Sequence, residues 1–582
     1  MRFRILLAML VAVAVCRTAT ADFPLKAKPE VVEAWKDMRF GMFLCWGPVS
    51  LTGKEIGWSR GAPAWGIRKG VRGGKGPTPA PIYDELYTKW KPDKFDAEAW
   101  VKIAKDTGQK YLIFLVKHHD GFCLYDTKLT DYKSTGPKSA WKVDAMKKVA
   151  DACHKHDLKL IIYYSQPDWH HPDYRGENHA RYIKYFHGQV RELLTNYGKI
   201  DGLWFDLGGK ETDWDTKKLF AMARKLQPHL IINNRCGLPG DFDTPEQHVG
   251  RVDMKRPWES CITLGTQWSW KPDDKLKPYT DALRMLVVCA VGDGNLALNT
   301  NPMPDGRIEP RQAESFKKIG VWMKKYGRSI YETRGGPFIA PDRNVRKFNS
   351  ALKGFKLPAG RWWGGSTRKG KTVYLHIMRW PGEVITLPPI KAKIVSHSVL
   401  TGGKAIVKQS DTEITVTLVP KDRDPLDTIV VLHLDRAAGD LTPGRLPSKS
   451  LAFGRKATAS GVWPNPKLDA SLAFDDNMTT RWGGAPDSKA GWLAIDLGAE
   501  KTFAAVFISE AFNRVGEFEL QVKKGDTWRP FLKGSTIGAN FLAKFPPLKA
   551  RHVRLNITEA SHVPTIWEFQ IMAPEQAKKK GE

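Results

Sequence analysis

Four times in the first 240 positions, an apolar run stops abruptly in a cluster of charged or aromatic polar residues. Tyr111 to Val116 ends on Lys117-His118-His119-Asp120, and Leu160 to Tyr164 ends on Ser165-Gln166-Pro167-Asp168-Trp169-His170-His171. Gly202-Leu203-Trp204-Phe205 runs into Asp206, and Leu230 to Ile232 ends on Asn233-Asn234-Arg235. Between these runs, Ala97 to Ala104, Val143 to Cys153 and Tyr182 to Leu194 carry apolar residues at three- and four-residue spacing, which predicts helices. Strand, polar cluster and helix in repetition predict an α/β chain whose first part is a parallel (β/α)8-like barrel, with its chemistry at the C-terminal strand ends. The barrel is expected to start at a strand over Phe40 to Trp46 and to end near Tyr331, after a helix covering Ile319 to Tyr326.

Beyond that point the pattern changes to short alternating runs, such as Thr372 to Ile377, Glu413 to Val419 and Thr428 to Leu434, separated by Gly and Pro turns. An antiparallel β-sandwich is expected there. A Gly- and Pro-rich linker follows, and then a second β-rich stretch. The expected organisation is 1–21 signal peptide, 22–335 catalytic barrel, 336–436 β-sandwich, 437–450 linker, 451–575 a second β-sandwich and 576–582 a basic tail.

Composition adds three points. Arg2 and Arg4, the apolar run Ile5 to Val15 and Ala19-Thr20-Ala21 form a leader pattern, so the mature chain is expected to be secreted or periplasmic. No later segment is apolar enough to span a membrane. Six cysteines follow the leader at irregular spacing, and buried thiols are the favoured reading over disulfides. The 582 residues carry 91 Lys and Arg against 62 Asp and Glu, a formal charge of +29. Such a charge draws polyanions. No nucleic-acid motif accompanies it, so an anionic polysaccharide fits an exported protein better; the alternative is an even spread of cations that serves solubility. From Ser59 to Pro79 the cations Arg60, Arg68, Lys69, Arg72 and Lys75 occur with no acid, in a Gly-rich loop expected over the barrel mouth.

The ordered motifs identify a family. Arg39-Phe40-Gly41-Met42-Phe43 with Trp46-Gly47-Pro48, then Lys117 to Phe122, Leu203 to Asp206, Asn233-Asn234-Arg235, Asp241 to Glu246 and Gly294 to Asn299 resemble the α-L-fucosidases of glycoside hydrolase family 29. Ala473 to Trp482, Trp492 to Gly498 and Arg551 to Leu555 resemble the discoidin fold, also called the coagulation factor 5/8 type C domain. The resemblance implies exo-acting, retaining hydrolysis of terminal α-L-fucosyl groups. Asp206 is then the nucleophile and Glu246 the acid/base, with Glu259 the alternative acid/base. His118, His119, Trp204, Arg235 and Trp58 are implied to contact sugar. Cys45 stands where the family has His, and the family's Glu-Trp pair is broken here at Lys54 to Trp58.

No cofactor is expected, and no metal, because neighbouring residues on a strand point to opposite faces and His118 and His119 would then not share an ion. The expected partner is a fucosylated glycan, sulfated fucan being the form the basic loop would select. Nucleic acid is not expected, and the sequence does not give the oligomeric state. The alternatives are an α-L-galactosidase or related glycosidase, and a glycan-binding protein that has lost catalysis.

Overall fold

The computed structural model describes residues 25–574 except 70, 251, 340–356, 358–361, 445, 447 and 479. The expected leader, 1–21, and the expected basic tail, 576–582, lie outside the described residues. The chain divides into two compact units. One holds the residues up to Pro245 with Lys255–Leu276 and Leu296–Gly320; the other holds Glu246–Met254, Lys277–Asn295 and the residues from Val321 on.

The first unit is built on a curled seven-stranded sheet. Its strands are β1 (Phe40–Leu44), β2 (Tyr111–Lys117), β3 (Lys159–Tyr164), β4 (Gly202–Phe205), β5 (Ile231–Ile232), β6 (Glu259–Thr263) and β7 (Asn295–Thr300), in the order β5-β4-β3-β2-β1-β7-β6. The β1 to β5 pairings and β1 with β7 are parallel. An eighth stave lies between the edge strands. Asn233, just after β5, forms a parallel bridge with Phe242, and Asp243 forms one with Trp258, just before β6. Single hydrogen bonds from the Asp241 N–H to the Ile232 carbonyl (2.7 Å) and from the Glu259 N–H to the Asp243 carbonyl (2.8 Å) extend that seam.

Strand alternation sorts the side chains into layers. Phe43, Tyr111, Ile113, Leu115, Ile161, Tyr163, Trp204, Ile231, Phe242, Cys261 and Ala297 belong to one buried cluster, in which Cys45 also lies. The connecting helices are set by local chemistry. Ala97–Thr107 starts where the Asp96 carboxylate accepts the Ala99 N–H, and stops at Gly108 in the left-handed conformation. It buries Trp100, Val101 and Ala104 at helical spacing. Ala145–Lys155 is capped in the same way by Asp144.

The second unit contains antiparallel sheets. Ile394–Val399, Thr428–Leu434, Thr372–Ile377, Gly364–Lys369 and Arg334–Ile339 form a five-stranded sheet in that order, and Val384–Leu387, Ile414–Leu418 and Ala405–Gln409 a three-stranded one. Ile414, Val416 and Leu418 are buried while Thr415 and Thr417 are partly exposed, as the alternating sequence requires. Between residues 456 and 572, the long strands Gly491–Glu510 and Phe541–Ala560 pair antiparallel and enclose a separate apolar core containing Trp482, Phe503, Phe518 and Phe569. All six described cysteines are buried free thiols. No described helix is long and apolar enough to cross a membrane.

Candidate functional site

Asp206 stands directly after β4, where Trp204 two residues earlier faces inward and Leu207 takes a positive φ of 61°. Its carboxylate is held on every side. Arg235 donates to Oδ1 at 2.7 Å, the Leu207 N–H donates to the same oxygen at 2.6 Å, and the Tyr163 hydroxyl donates to Oδ2 at 2.7 Å. Burial alone would raise its pKa, but the Arg235 guanidinium and the Tyr163 hydroxyl outweigh burial and hold it well below the usual carboxylate range. Arg235 is itself fixed by Thr244, whose hydroxyl and carbonyl accept from Nε (2.7 Å) and Nη2 (2.9 Å), and its guanidinium covers the Trp204 ring at 4.8 Å.

The two histidines meet at this carboxylate. β2 ends at Lys117, so His118 and His119 lie past the regular strand and escape its alternation. Their ring centroids are 4.0 Å apart, and the donor atoms of His118, His119 and Asp206 lie within 4.8 Å of one another. The alternation argument against a shared ion is therefore corrected. What opposes a cation here is charge: Arg235 occupies Asp206 Oδ1, and the fully buried Lys117 ammonium lies next in sequence to the pair.

Burial, with the Lys117 and Arg235 charges, lowers the His119 pKa to about 4, so the ring is neutral at neutral pH. Burial likewise takes His118 well below its ordinary value. The Ser165 hydroxyl gives its proton to the Pro167 carbonyl (2.8 Å) and so accepts from His119 Nδ1 at 2.6 Å. Neutral His119, itself fully buried, therefore holds a bare Nε2 with no hydrogen-bond partner, 3.5 Å from Asp206 Oδ2.

The aromatic rim is positioned by a chain that crosses the site. Tyr83 accepts the Gly57 N–H (2.8 Å) and donates to Asp120 (2.6 Å), whose pKa burial pushes up to about 6. Gly57 has φ of 65°, and a side chain there would meet His118 Nδ1 at 2.4 Å, so glycine is required for the loop to lie against the histidine. Trp58 is thereby left 41% exposed, edge-on to His119 at 5.6 Å and to Trp169 at 5.2 Å. Glu55, raised to about 7 by burial, accepts from the Ile56 and Trp268 N–H groups and pins this segment.

Other expected contacts fall elsewhere. Trp204 is only 2% exposed, donates to Glu259 at 3.1 Å and lies under Arg235, which places it in the barrel core instead of against a sugar ring. Glu259, the alternative acid/base, is fully buried beneath it and takes the Tyr111 hydroxyl at 2.5 Å. Burial raises its pKa to about 7, but no solvent reaches it. Cys45 is buried in the inner cluster with Tyr163. Glu246 is exposed, two residues beyond Thr244, and belongs to the second unit.

The basic loop divides in two. Arg60 is 1% exposed, doubly bonded to Asp84 at 2.6 Å and donating to the Trp169 carbonyl, so it anchors the loop and is not available to a substrate. Arg68 donates to the Tyr174 carbonyl at 2.7 Å and lies 5.8 Å from the Trp65 ring centre. Lys69, Arg72 and Lys75 are exposed and make no ion pair among the described residues. A small cleft with about 20 Å³ of free space lies under this loop, lined by Trp65, Arg68, Asp168, Trp169, His171 and Tyr174 among others. Trp169, which lines this cleft, also lies with its ring 5.0 Å from that of His119.

Sequence reasoning missed Tyr163 and Tyr83. The signal for Tyr163 lay in register, since it pairs with Trp204 on the neighbouring strand and so points to the face that carries Asp206.

Comparison with known proteins agrees with this geometry. The α-L-fucosidase family model matches residues 13–328, more than half of the chain, and the F5/8 type C domain model matches residues 456–569. The plasma α-L-fucosidase of Homo sapiens is 26% identical over 386 residues, covering 60% of this chain and 76% of that protein. Among solved structures, α-L-fucosidase isoenzyme 1 from Paenibacillus thiaminolyticus is 31% identical with a TM-score of 0.56, over 70% of this chain and 99% of that one. The α-L-fucosidase from Vibrio sp. strain EJY3 shares the fold at 19% identity and a TM-score of 0.63, over 94% of this chain and 98% of that one. With its motifs in order on the barrel rim and a family model spanning more than half of its length, the chain belongs to the α-L-fucosidase family and carries a C-terminal F5/8 type C domain.

Proposed function

We propose that this protein is an exported, exo-acting, retaining α-L-fucosidase whose substrate is an anionic glycan, sulfated fucan foremost. The observation that carries the hydrolytic reading is the Asp206 carboxylate: fixed by three donors, kept ionised, and edged by a neutral histidine acceptor. An Asp206 oxygen attacks the anomeric carbon as the bond to the leaving oxygen breaks, and the Glu246 carboxylic acid passes its proton to that oxygen. The Glu246 carboxylate then takes a proton from water, the water oxygen attacks the anomeric carbon, and Asp206 is released. Glu246 is assigned by its family motif, and burial of Glu259 beneath Trp204 supports that choice over the rival. His118 and His119 bind sugar hydroxyls, and Trp58 offers an exposed ring at the rim.

The anionic preference rests on Lys69, Arg72 and Lys75, which lie exposed on the loop whose residues, with Trp169, line the small cleft. Export rests on the leader pattern, and N-terminal sequencing of the mature protein checks it. The functional test incubates wild type and Asp206→Asn with an aryl α-L-fucoside and with sulfated and desulfated fucan oligosaccharides. Fucose release by the wild type alone is expected, with the sulfated set preferred and the preference lost when Lys69, Arg72 and Lys75 are all replaced by Ala. Equal rates on both sets would remove the anionic assignment while leaving the fucosidase. Release from an α-L-galactoside and from no fucoside would move the activity to the neighbouring sugar.

A further inference from the structure

β2 ends on a buried cation that the proposed chemistry leaves unused. Lys117 is 0% exposed; its ammonium donates to Asp168 Oδ2 at 3.2 Å and to the Pro167 carbonyl at 3.3 Å, and lies 4.7 Å from the Tyr164 ring centre. Asp168 is equally buried and spends Oδ1 on the N–H groups of His170 (3.0 Å) and His171 (2.9 Å). Burial alone would raise its pKa, but the Lys117 charge and the two histidines outweigh burial and hold the carboxyl below its ordinary value. The pair joins the loops after β2 and β3. Gly121 has φ of 85°, and a side chain there would meet Asp168 Oδ1 at 2.3 Å, while the Trp169 N–H donates to the His119 carbonyl at 2.7 Å. Desolvation makes such a pair a weak source of stability, so its value lies in what it orients.

That orientation reaches the nucleophile. The Pro167 carbonyl has two lone pairs; Lys117 takes one, and the Ser165 hydroxyl takes the other at 2.8 Å. With its proton committed there, Ser165 accepts from His119 Nδ1 at 2.6 Å, and Nε2 is left bare beside Asp206 Oδ2. The opposite arrangement uses the same atoms: Ser165 donates to Nδ1, and an Nε2–H turns to Asp206 Oδ2, where it competes with attack on carbon. The charged and titratable groups around the ring are Lys117, His118 and Asp120 on its own segment, Tyr163 and Asp168 on and after β3, Asp206 after β4 and Arg235 after β5. Burial, then the Lys117 and Arg235 charges against the pull of Asp206, keep the ring neutral. Lys117 therefore acts twice: it fixes the carbonyl that receives the Ser165 proton, and its charge opposes a second proton on the imidazole.

We propose that the Lys117 and Asp168 pair is a positioning device for His119, which through Pro167 and Ser165 holds the ring as the Nδ1–H tautomer and keeps Asp206 Oδ2 free of an imidazole N–H. This role rests on the α-L-fucosidase reading above, in which Asp206 is the nucleophile. Lys117, Asp168 and Ser165 act through the ring and not on the sugar.

The test joins an NMR readout to kinetics on the full-length protein. Histidine labelled with ¹³C in the ring reports tautomer and charge, and the His119 signal is identified by its loss in His119→Gln. Wild type is expected to show the Nδ1–H tautomer at pH 7 and to stay neutral down to about pH 4. Lys117→Met combined with Asp168→Asn leaves no unpaired buried charge. It is expected to populate the Nε2–H tautomer, to raise the His119 midpoint by about one unit or more, and to move the acid limb of kcat/KM on an aryl α-L-fucoside the same way, with about tenfold lost at pH 7. Ser165→Ala is a smaller change that removes the link and keeps the cation. It is expected to release the tautomer while moving the midpoint by less than about half a unit. An Nε2–H tautomer in wild type, or a rate loss in the double variant with tautomer and acid limb unchanged, would overturn the proposal, the second by leaving only a structural role. The expected NMR changes in a chain that releases no fucose would uphold the positioning and remove the fucosidase reading instead.

Discussion

Two carboxyl groups buried in the same barrel behave in opposite ways. At the mouth, Asp206 is driven below the carboxylate range; on the floor, Glu259 is raised to about 7. Burial pushes both upward. The difference is the partner: Asp206 meets a guanidinium, whereas Glu259 meets only the neutral donors of Tyr111 and Trp204. Trp204 separates the two, giving its indole N–H to the lower group and its ring to the cation of the upper one. One residue thus divides a chemically charged rim from a core that stays neutral in mild acid. Depth alone does not decide whether a buried acid can act; the charge placed beside it does.

The sharpest way to break this comparison is to make the same isosteric change at both levels. Asp206→Asn is expected to lower kcat on an aryl α-L-fucoside by about 10⁴-fold or more, since it removes the proposed nucleophile, while Glu259→Gln keeps most of the rate. Comparable losses from both would mean that the floor group takes part in the chemistry. Removing the cation comes next. Arg235→Met leaves burial as the dominant influence on Asp206, so its pKa rises and the acid limb of the kcat/KM profile moves to higher pH, with a loss of about 100-fold at neutral pH. An acid limb that stays in place would show that Arg235 does not set the charge state.

The floor has its own signature. Because the folded-state pKa of Glu259 lies above its unfolded value, the stability it contributes is complete below about pH 4.5 and is lost as pH rises through about 7. Glu259→Gln is therefore expected to stabilise the barrel at pH 8 by about 3 kcal/mol relative to wild type, and to change little at pH 4.5. Urea melts at the two pH values measure this, and an equal shift at both would assign the effect to packing. Tyr163→Phe is the smallest perturbation. Losing one hydrogen bond to Asp206 is expected to cost about tenfold in kcat/KM and to move the acid limb in the same direction as Arg235→Met, by less.

How far the sequence foretells these regions depends on how local the cause is. β4 is found at Gly202–Phe205, the apolar run that precedes Asp206, because turn residues bound it on both sides. The stave at Phe242–Asp243 leaves no run to detect, since two residues make all of its bridges. Parity correctly puts Trp204 on the face of Asp206, yet that face looks into the core at Trp204 and opens only at the carboxylate. Composition marks Arg60 as one more loop cation. Its partner Asp84 stands 24 residues away, beyond the acid-free window, and only folding joins them. The histidine pair misled for a similar reason, because alternation holds within a strand and β2 stops one residue too soon.

The two-residue stave also bears on how such an enzyme diversifies. A wall joined by single bridges fixes the register of Phe242 and Asp243 and little else, so chain can be added or removed just after them without turning any long strand inside out. Glu246 to Met254 follow immediately, and they carry the residue proposed to protonate the leaving group. The barrel's thinnest seam is thus where its sequence has most freedom to change: Asp206 is tied to a rigid strand end, while the chain just after Asp243 can be lengthened or shortened at little cost to the strand register.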